Sequence, residues 1–217
     1  PAREVGGDLY GVCASGPERV GFFIGDVSGK GIPASMFMVR AMSLAQLLSR
    51  EIAEPHRILA RLNDELSADN PSGMFVTFLC AVFTPASTTL KLANAGHCRP
   101  LLLPSSKGPS WALKNLGTAL GLEPGLEFEP AEVALREGDA LIFYSDGVNE
   151  AFNAQEECYG NERLLADSGE FAGQSVSAIT AGLLGKVRAF AGGAPQSDDI
   201  AILVVRYEGA AVTACTS

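Results

Sequence analysis

The sequence offers no cysteine framework. Its five cysteines, Cys13, Cys80, Cys98, Cys158 and Cys215, are scattered, with no C-x-x-C and no Cys/His ligand spacing. That argues against a zinc site or a disulfide scaffold and for reduced core thiols in a cytoplasmic protein. Positive charge is scarce as well: 16 Lys and Arg stand against 25 Asp and Glu, a formal net charge of −9. Nucleic acid and anionic membrane surfaces are therefore poor main partners. Long hydrophobic runs are missing too. The apolar stretches are strand-length or broken by polar residues, so none reads as a transmembrane span or signal peptide. There is no internal repeat and no low-complexity segment longer than a loop.

What remains is an ordinary globular composition of 217 residues, 47% hydrophobic and 19% charged. That length allows one large domain or two small ones, with a substantial core. The chain enters its first strand, Leu9 to Ser15, almost without lead-in. We therefore expect an upstream regulatory domain in a longer protein. Ser15-Gly16-Pro17-Glu18 is turn chemistry, and Val20 to Ile24 reads as the partner strand of a hairpin. Residues 33–50 read as a helix with a narrow polar stripe of Arg40, Ser43, Gln46 and Arg50, so cover on more than one side is expected. A second helix spans 55–67 with Ile58, Leu59, Leu62 and Leu66 inward.

Strands then dominate: 74–83, 89–94, 99–103, 126–135 (demoted to an edge by Pro130) and 140–145. Ser105 to Ser110 reads as a loop. A looser region follows Ser145, then a helix over 175–190 and a last strand over 200–207. This order is not a βαβ alternation. It predicts an α+β fold, a central antiparallel β-sandwich flanked by helices.

Four acidic positions recur in one setting. Asp8 follows Gly6-Gly7, Asp26 follows Gly25 at a strand end, and Asp146 sits in Tyr144-Ser145-Asp146-Gly147. Asp198-Asp199 precedes the final strand. Each alone reads as a turn or cap aspartate. Together they suit Mg²⁺ or Mn²⁺, which take oxygen ligands and keep several waters.

The ordered series Val5-Gly6-Gly7-Asp8, Gly25-Asp26-Val27-Ser28-Gly29-Lys30-Gly31, Asn94-Ala95-Gly96-His97, Phe143 through Ala151 and Ser197-Asp198-Asp199-Ile200 resembles a known family. It is similar to the bacterial sporulation and stress-response branch of the metal-dependent PPM (PP2C-like) serine/threonine phosphatases. The resemblance covers residues 1–207 and leaves 208–217 as a flexible tail. It implies the αββα sandwich with two Mn²⁺ or Mg²⁺ ions at one end. By position, Asp26 would bridge both ions and the Val27 carbonyl would help hold one. Asp8 would act mainly through metal-bound water, and Asp146 and Asp198 would complete the ligand set of the second ion. Asp199, with Gly147, would support them from behind.

The implied reaction is attack of a hydroxide held by both ions on a phosphoserine or phosphothreonine. The implied substrate is a phosphorylated anti-anti-sigma (STAS-domain) protein, with the upstream sensor acting through the helix over 33–50. Pairing of these helices in a homodimer is compatible with the sequence.

Ser28 stands where the eukaryotic branch has a histidine proposed as the acid, and a hydroxyl is a poor acid. His97 is open as an alternative acid or a turn-stabilising residue. Arg3, five residues before Asp8, is a candidate for the phosphate-binding arginine or a plain surface charge. Lys30 likewise reads as phosphate-facing or merely solvated. Gly25 to Lys30 fails as a P-loop at both Ile24 and Gly31, and no G-x-S-x-G elbow surrounds Ser145. Two other functions stay open: a catalytically weak binding module for an anti-sigma kinase, and a dinuclear hydrolase of small phosphate esters.

Overall fold

Alternation along the second strand decides the layering. In the computed structural model, which describes residues 7–196 and 198–209, Phe23 and Val27 face a helical layer while Phe22 and Ile24 face another sheet. Successive side chains on a strand point to opposite faces, so a run apolar at both parities must be covered on both. The strands in chain order are β1 (Asp8–Ala14), β2 (Val20–Val27), β3 (Val76–Thr84), β4 (Thr89–Ala95), β5 (Leu101–Leu103), β6 (Ser110–Trp111), β7 (Ala131–Ala134), β8 (Ala140–Tyr144) and β9 (Ile202–Arg206).

They form two antiparallel sheets, ordered β1-β2-β3-β4-β7 and β6-β5-β8-β9. The inner faces meet through Phe22, Ile24, Leu79, Leu92, Leu141 and Phe143, with Phe22 stacked on Phe143 at 6.3 Å between ring centroids. Helices α1 (Ile32–Glu51) and α2 (Pro55–Ser67) cover the first sheet. Helices α4 (Gly160–Ser168) and α5 (Val176–Ala191) cover the second, and α3 (Asp146–Asn149) is a single turn after β8. The architecture is the expected helix–sheet–sheet–helix sandwich.

Pro33 lies in the first turn of α1, where its missing N–H costs nothing. In α2, Ile58, Leu59, Leu62 and Leu66 are all fully buried, as their spacing requires. Arg40 of α1 donates to the carbonyls of Glu65 and Asp69, satisfying groups that the end of α2 leaves open. Pro130 does precede an edge strand, β7.

Several expectations need correction. The region after Ser145 is not loose, since it contains α3 and α4. The loop over 105–110 ends in β6, which pairs with β5. Helix α1 is covered on one side only: Ala34, Phe37, Ala41 and Ala45 are buried, whereas Ile32, Met36, Val39 and Leu47 are exposed. By length and composition alone α1 is also apolar enough to cross a bilayer. Here its buried face packs on the sheet and α2. Of the thiols, Cys80 is a core residue but Cys158 is exposed. Arg3, Ser197, Cys215 and the tail over 210–217 lie outside the described residues.

The one-sided cover of α1 has a measurable consequence. Leu62→Ala should destabilise the fold by about 2–5 kcal/mol in urea unfolding. Met36→Ala, at a side chain 70% exposed, should stay within about 0.5 kcal/mol. A loss at Met36 matching that at Leu62 would contradict this placement.

Candidate functional site

The antiparallel register sets Asp8 of β1 directly across from Asp26 of β2. Both belong to the parity that faces the gap between the sheets, at the end where β2 runs out. From the opposite sheet, Asp146 opens α3 just after β8, and Asp198 and Asp199 lie in the segment leading to β9. Ser145 binds these pieces together: its hydroxyl donates to the Asp199 carbonyl at 3.3 Å and accepts from Ala201 N–H at 2.9 Å. Two glycines allow the close approach. A side chain at Gly7 would strike Asp26 Oδ1 and lie 2.9 Å from the Val27 carbonyl oxygen. One at Gly147 would collide with the Asp199 carbonyl.

Electrostatics report the same convergence. Burial pushes the Asp8 carboxyl up to about 7; the neighbouring Ser145 hydroxyl opposes this, and the charges of Asp26, Asp146 and Asp199 add to it. Burial, then Asp146 and Asp198, raise Asp26 to about 6. Asp146 is raised by burial and by Asp198. A further carboxylate, Glu150, is raised by burial and by the charges of Asp146 and Asp198. The sequence reading passed over Glu150, although it follows Asp146 by four residues, one helical turn on the same side. Lys30, on the loop after β2, places Nζ 3.7 Å from Asp198 Oδ1.

The other candidates have structural duties. Ser28 Oγ accepts from Phe75 N–H at 2.9 Å, which closes the turn after β2. The backbone of His97 is clasped by the Asn94 side chain, through bonds of 2.8 and 2.9 Å. Its Nδ1 lies 2.9 Å from Thr77 Oγ1. Burial drives His97 down to about 4, so it is neutral near pH 7. This fits the turn-stabilising alternative. Arg3 is outside the described residues.

The donor set at this rim is right in kind for a hard divalent cation: carboxylates and a backbone carbonyl. The neighbouring Cys98 thiol is pushed up to about 12, by burial and then by Asp146, Glu150 and Asp8, so it stays protonated. Asp8 Oδ2 is buried without a hydrogen-bond partner among the described residues, an oxygen oriented for something it can coordinate. The rim is a shared neighbourhood rather than a closed cage. Among the described residues, no three His, Cys, Asp or Glu side chains are gathered tightly enough to ligate one ion as placed.

A family model described as Stage II sporulation protein E (SpoIIE) matches residues 16–208. The chain belongs to the SpoIIE family. Among its relatives, Protein IcfG of Synechocystis sp. is 28% identical over 235 aligned positions, covering 94% of this chain and 36% of its own length. Phosphoserine phosphatase RsbU of Bacillus subtilis is 27% identical over 150 positions, covering 69% of this chain and 44% of its own length. The chain therefore spans less than half the length of these two relatives. The SiaA-PP2C domain of Pseudomonas aeruginosa superposes with a TM-score of 0.81 at 19% identity, covering 93% of this chain and 81% of that one. At that identity the likeness is one of fold, PP2C-like.

The raised carboxyls make stability fall with pH. Asp8 and Asp26 bind protons more tightly folded, at about 7 and 6, than at the ordinary aspartate value of 3.8. The stabilisation is full below the unfolded value and is lost as pH rises through the folded ones. In chelator, the melting temperature of the wild type should decline from pH 4.5 to 7.5, and Asp8→Asn should flatten that decline. Excess Mn²⁺ should raise the melting temperature most at the alkaline end. A wild-type profile that is flat or rising in chelator would contradict the buried-acid rim.

Proposed function

We propose that this chain is a metal-dependent protein serine/threonine phosphatase that hydrolyses phosphoserine or phosphothreonine on a protein. The observation that carries the reading is the convergence of Asp8, Asp26, Asp146, Asp198 and Asp199 from both sheets onto one rim. Asp26 with the Val27 carbonyl, Asp8, Asp146 and Asp198 would hold two Mn²⁺ or Mg²⁺ ions, with Asp199 and Gly147 shaping the ground behind them. When bound, two such ions supply a nucleophile from water near neutral pH and offset charge on the phosphoryl oxygens.

The chain's own residues define the rest. Ser28 and Ser145 have their hydroxyls engaged in backbone bonds, which supports water rather than a serine as the attacking group. Neutral, buried His97 carries no acidic imidazolium proton near pH 7, which supports a turn-stabilising role over an acid one. Lys30, with more than half of its side chain exposed beside Asp198, can turn toward a phosphate as a mobile point charge.

Membership of the SpoIIE family, and a relative named as a phosphoserine phosphatase, support phosphoserine as the target. The resemblance to the sporulation and stress-response branch supports a STAS-domain anti-anti-sigma protein as substrate, in a cytoplasmic partner-switching pathway. The uncovered face of α1, which begins five residues after Val27, supports control by an upstream domain or a second chain docking there.

The deciding assay is turnover of phosphoserine peptides with Mn²⁺, with Mg²⁺ and with chelator. Metal-dependent release of phosphate is expected, preferring the phosphopeptide to mononucleotides. No turnover would leave the binding-module reading, and a preference for mononucleotides would leave the small-ester hydrolase. Asp26→Ala and Asp146→Ala should each lower kcat by about a hundredfold or more with the fold intact, since even residues supporting metal ligands cost about 10–100-fold. His97→Ala should cost about tenfold or less. Near-normal turnover in either aspartate variant, or an equal loss at His97, would contradict these roles.

A further inference from the structure

Beside the carboxylate rim lies a pocket of about 240 Å³ between α3, the C-terminal end of α5, residues 193–196 and Ile200. Its walls are mainly Phe152, Val187, Ala191, Pro195 and Ile200, with Arg188 at the lip. It shares masonry with the rim. Gly147, the residue after Asp146, lines the pocket and packs against the Asp199 carbonyl. Gln196 donates from Nε2 to the Asp198 carbonyl at 2.7 Å.

Two features mark this as a receptor rather than a packing gap. Phe152 is 43% exposed, yet its segment is held. It forms an isolated bridge with Cys158, and the Asn153 side chain accepts from Gln155 N–H at 3.0 Å and from Glu157 N–H at 2.9 Å. A backbone held in this way has already lost part of the freedom that binding would otherwise cost it. Arg188, also exposed, makes no ion pair among the described residues. The pocket is smaller than the roughly 300–1,000 Å³ of small-molecule sites, so one large side chain is a better match than a free metabolite. A wider opening of about 540 Å³, lined by Tyr10, Met38, Thr180, Leu184 and Ile202, includes Asp8 and Asp199 and so belongs to the carboxylate rim itself.

We infer that this pocket receives a large apolar side chain of the substrate protein, two residues from the phosphoserine. The inference rests on the phosphatase reading of the rim and names what that site recognises. In an extended chain, residues two apart point the same way and lie roughly 6–7 Å apart. With the phosphate presented to the rim, the neighbour on the same face then reaches the ground behind Gly147 and Ile200. Arg188 at the lip repels a basic residue there.

The test compares phosphoserine peptides differing only at the positions two before and two after the phosphoserine, carrying Leu, Ala or Lys. p-Nitrophenyl phosphate, which has no flanking residues, is the reference substrate. With Mn²⁺, Leu at one of these positions should raise kcat/KM about tenfold or more over Ala, with Lys below Ala, consistent with burying one large aliphatic side chain. Phe152→Ala and Ala194→Trp, the second filling the pocket from its rim, should erase the Leu preference while leaving p-nitrophenyl phosphate turnover unchanged. Equal use of Leu and Ala peptides by the wild type, alongside normal p-nitrophenyl phosphate turnover, overturns the pocket and spares the phosphatase reading. A Leu preference that survives in both variants also overturns the pocket. Loss of self-association in Phe152→Ala with no effect on peptides would reassign this surface to a second copy of the chain. Absence of Mn²⁺-dependent turnover of every substrate overturns both readings together.

Discussion

The organising constraint is the repulsion between carboxylates that the fold forces together. Pairing β1 with β2 puts Asp8 across from Asp26, and the turn after β8 and the approach to β9 bring three more acids from the other sheet. Burial raises the proton affinity of Asp8 and Asp26 before any neighbour is counted. Such a group of acids is tolerable when positive charge, from protons or cations, is shared among them. A one-residue slip of β1 would turn Asp8 to the helical face and break the set. Register therefore carries functional as well as structural weight.

The rest of the molecule keeps that rim rigid. Three apolar layers, one between the sheets and one under each helical pair, anchor the strands whose ends supply the acids. Helix α1 rises from the loop that follows Asp26 and Val27. Displacing it would move the loop that carries Lys30. Its inner face is locked against β2 and α2, while its outer face stays apolar and open. A helix anchored on one side and adhesive on the other suits transmission of an outside contact to the rim, on timescales typical of helix shifts.

Much of this was legible in the chain itself. The i, i+3, i+4 spacing of Ile58, Leu59, Leu62 and Leu66 gave α2 its bounds and its buried face. The glycine-adjacent aspartates pointed to one site because backbone must approach them closely, as Gly7 and Gly147 show. Helix α4 escaped notice because it is nine residues long, opens on Gly160, and buries only Leu164 and Ser168, too few for a period to emerge. Glu150 was hidden because α3 is a single turn. The open side of α1 could not be read at all, since an apolar helix facing a partner looks the same as one buried at home. Nor could Ser28 and His97 be placed: their roles depend on Phe75, Thr77 and Asn94, partners set by tertiary pairing.

The most direct test of the account is an anomalous difference map from crystals soaked in Mn²⁺. It should show two peaks at the rim, both beside Asp26, with Asp146 and Asp198 next to one of them. Peaks elsewhere on the surface, or saturating Mn²⁺ with none beside Asp26, would contradict it.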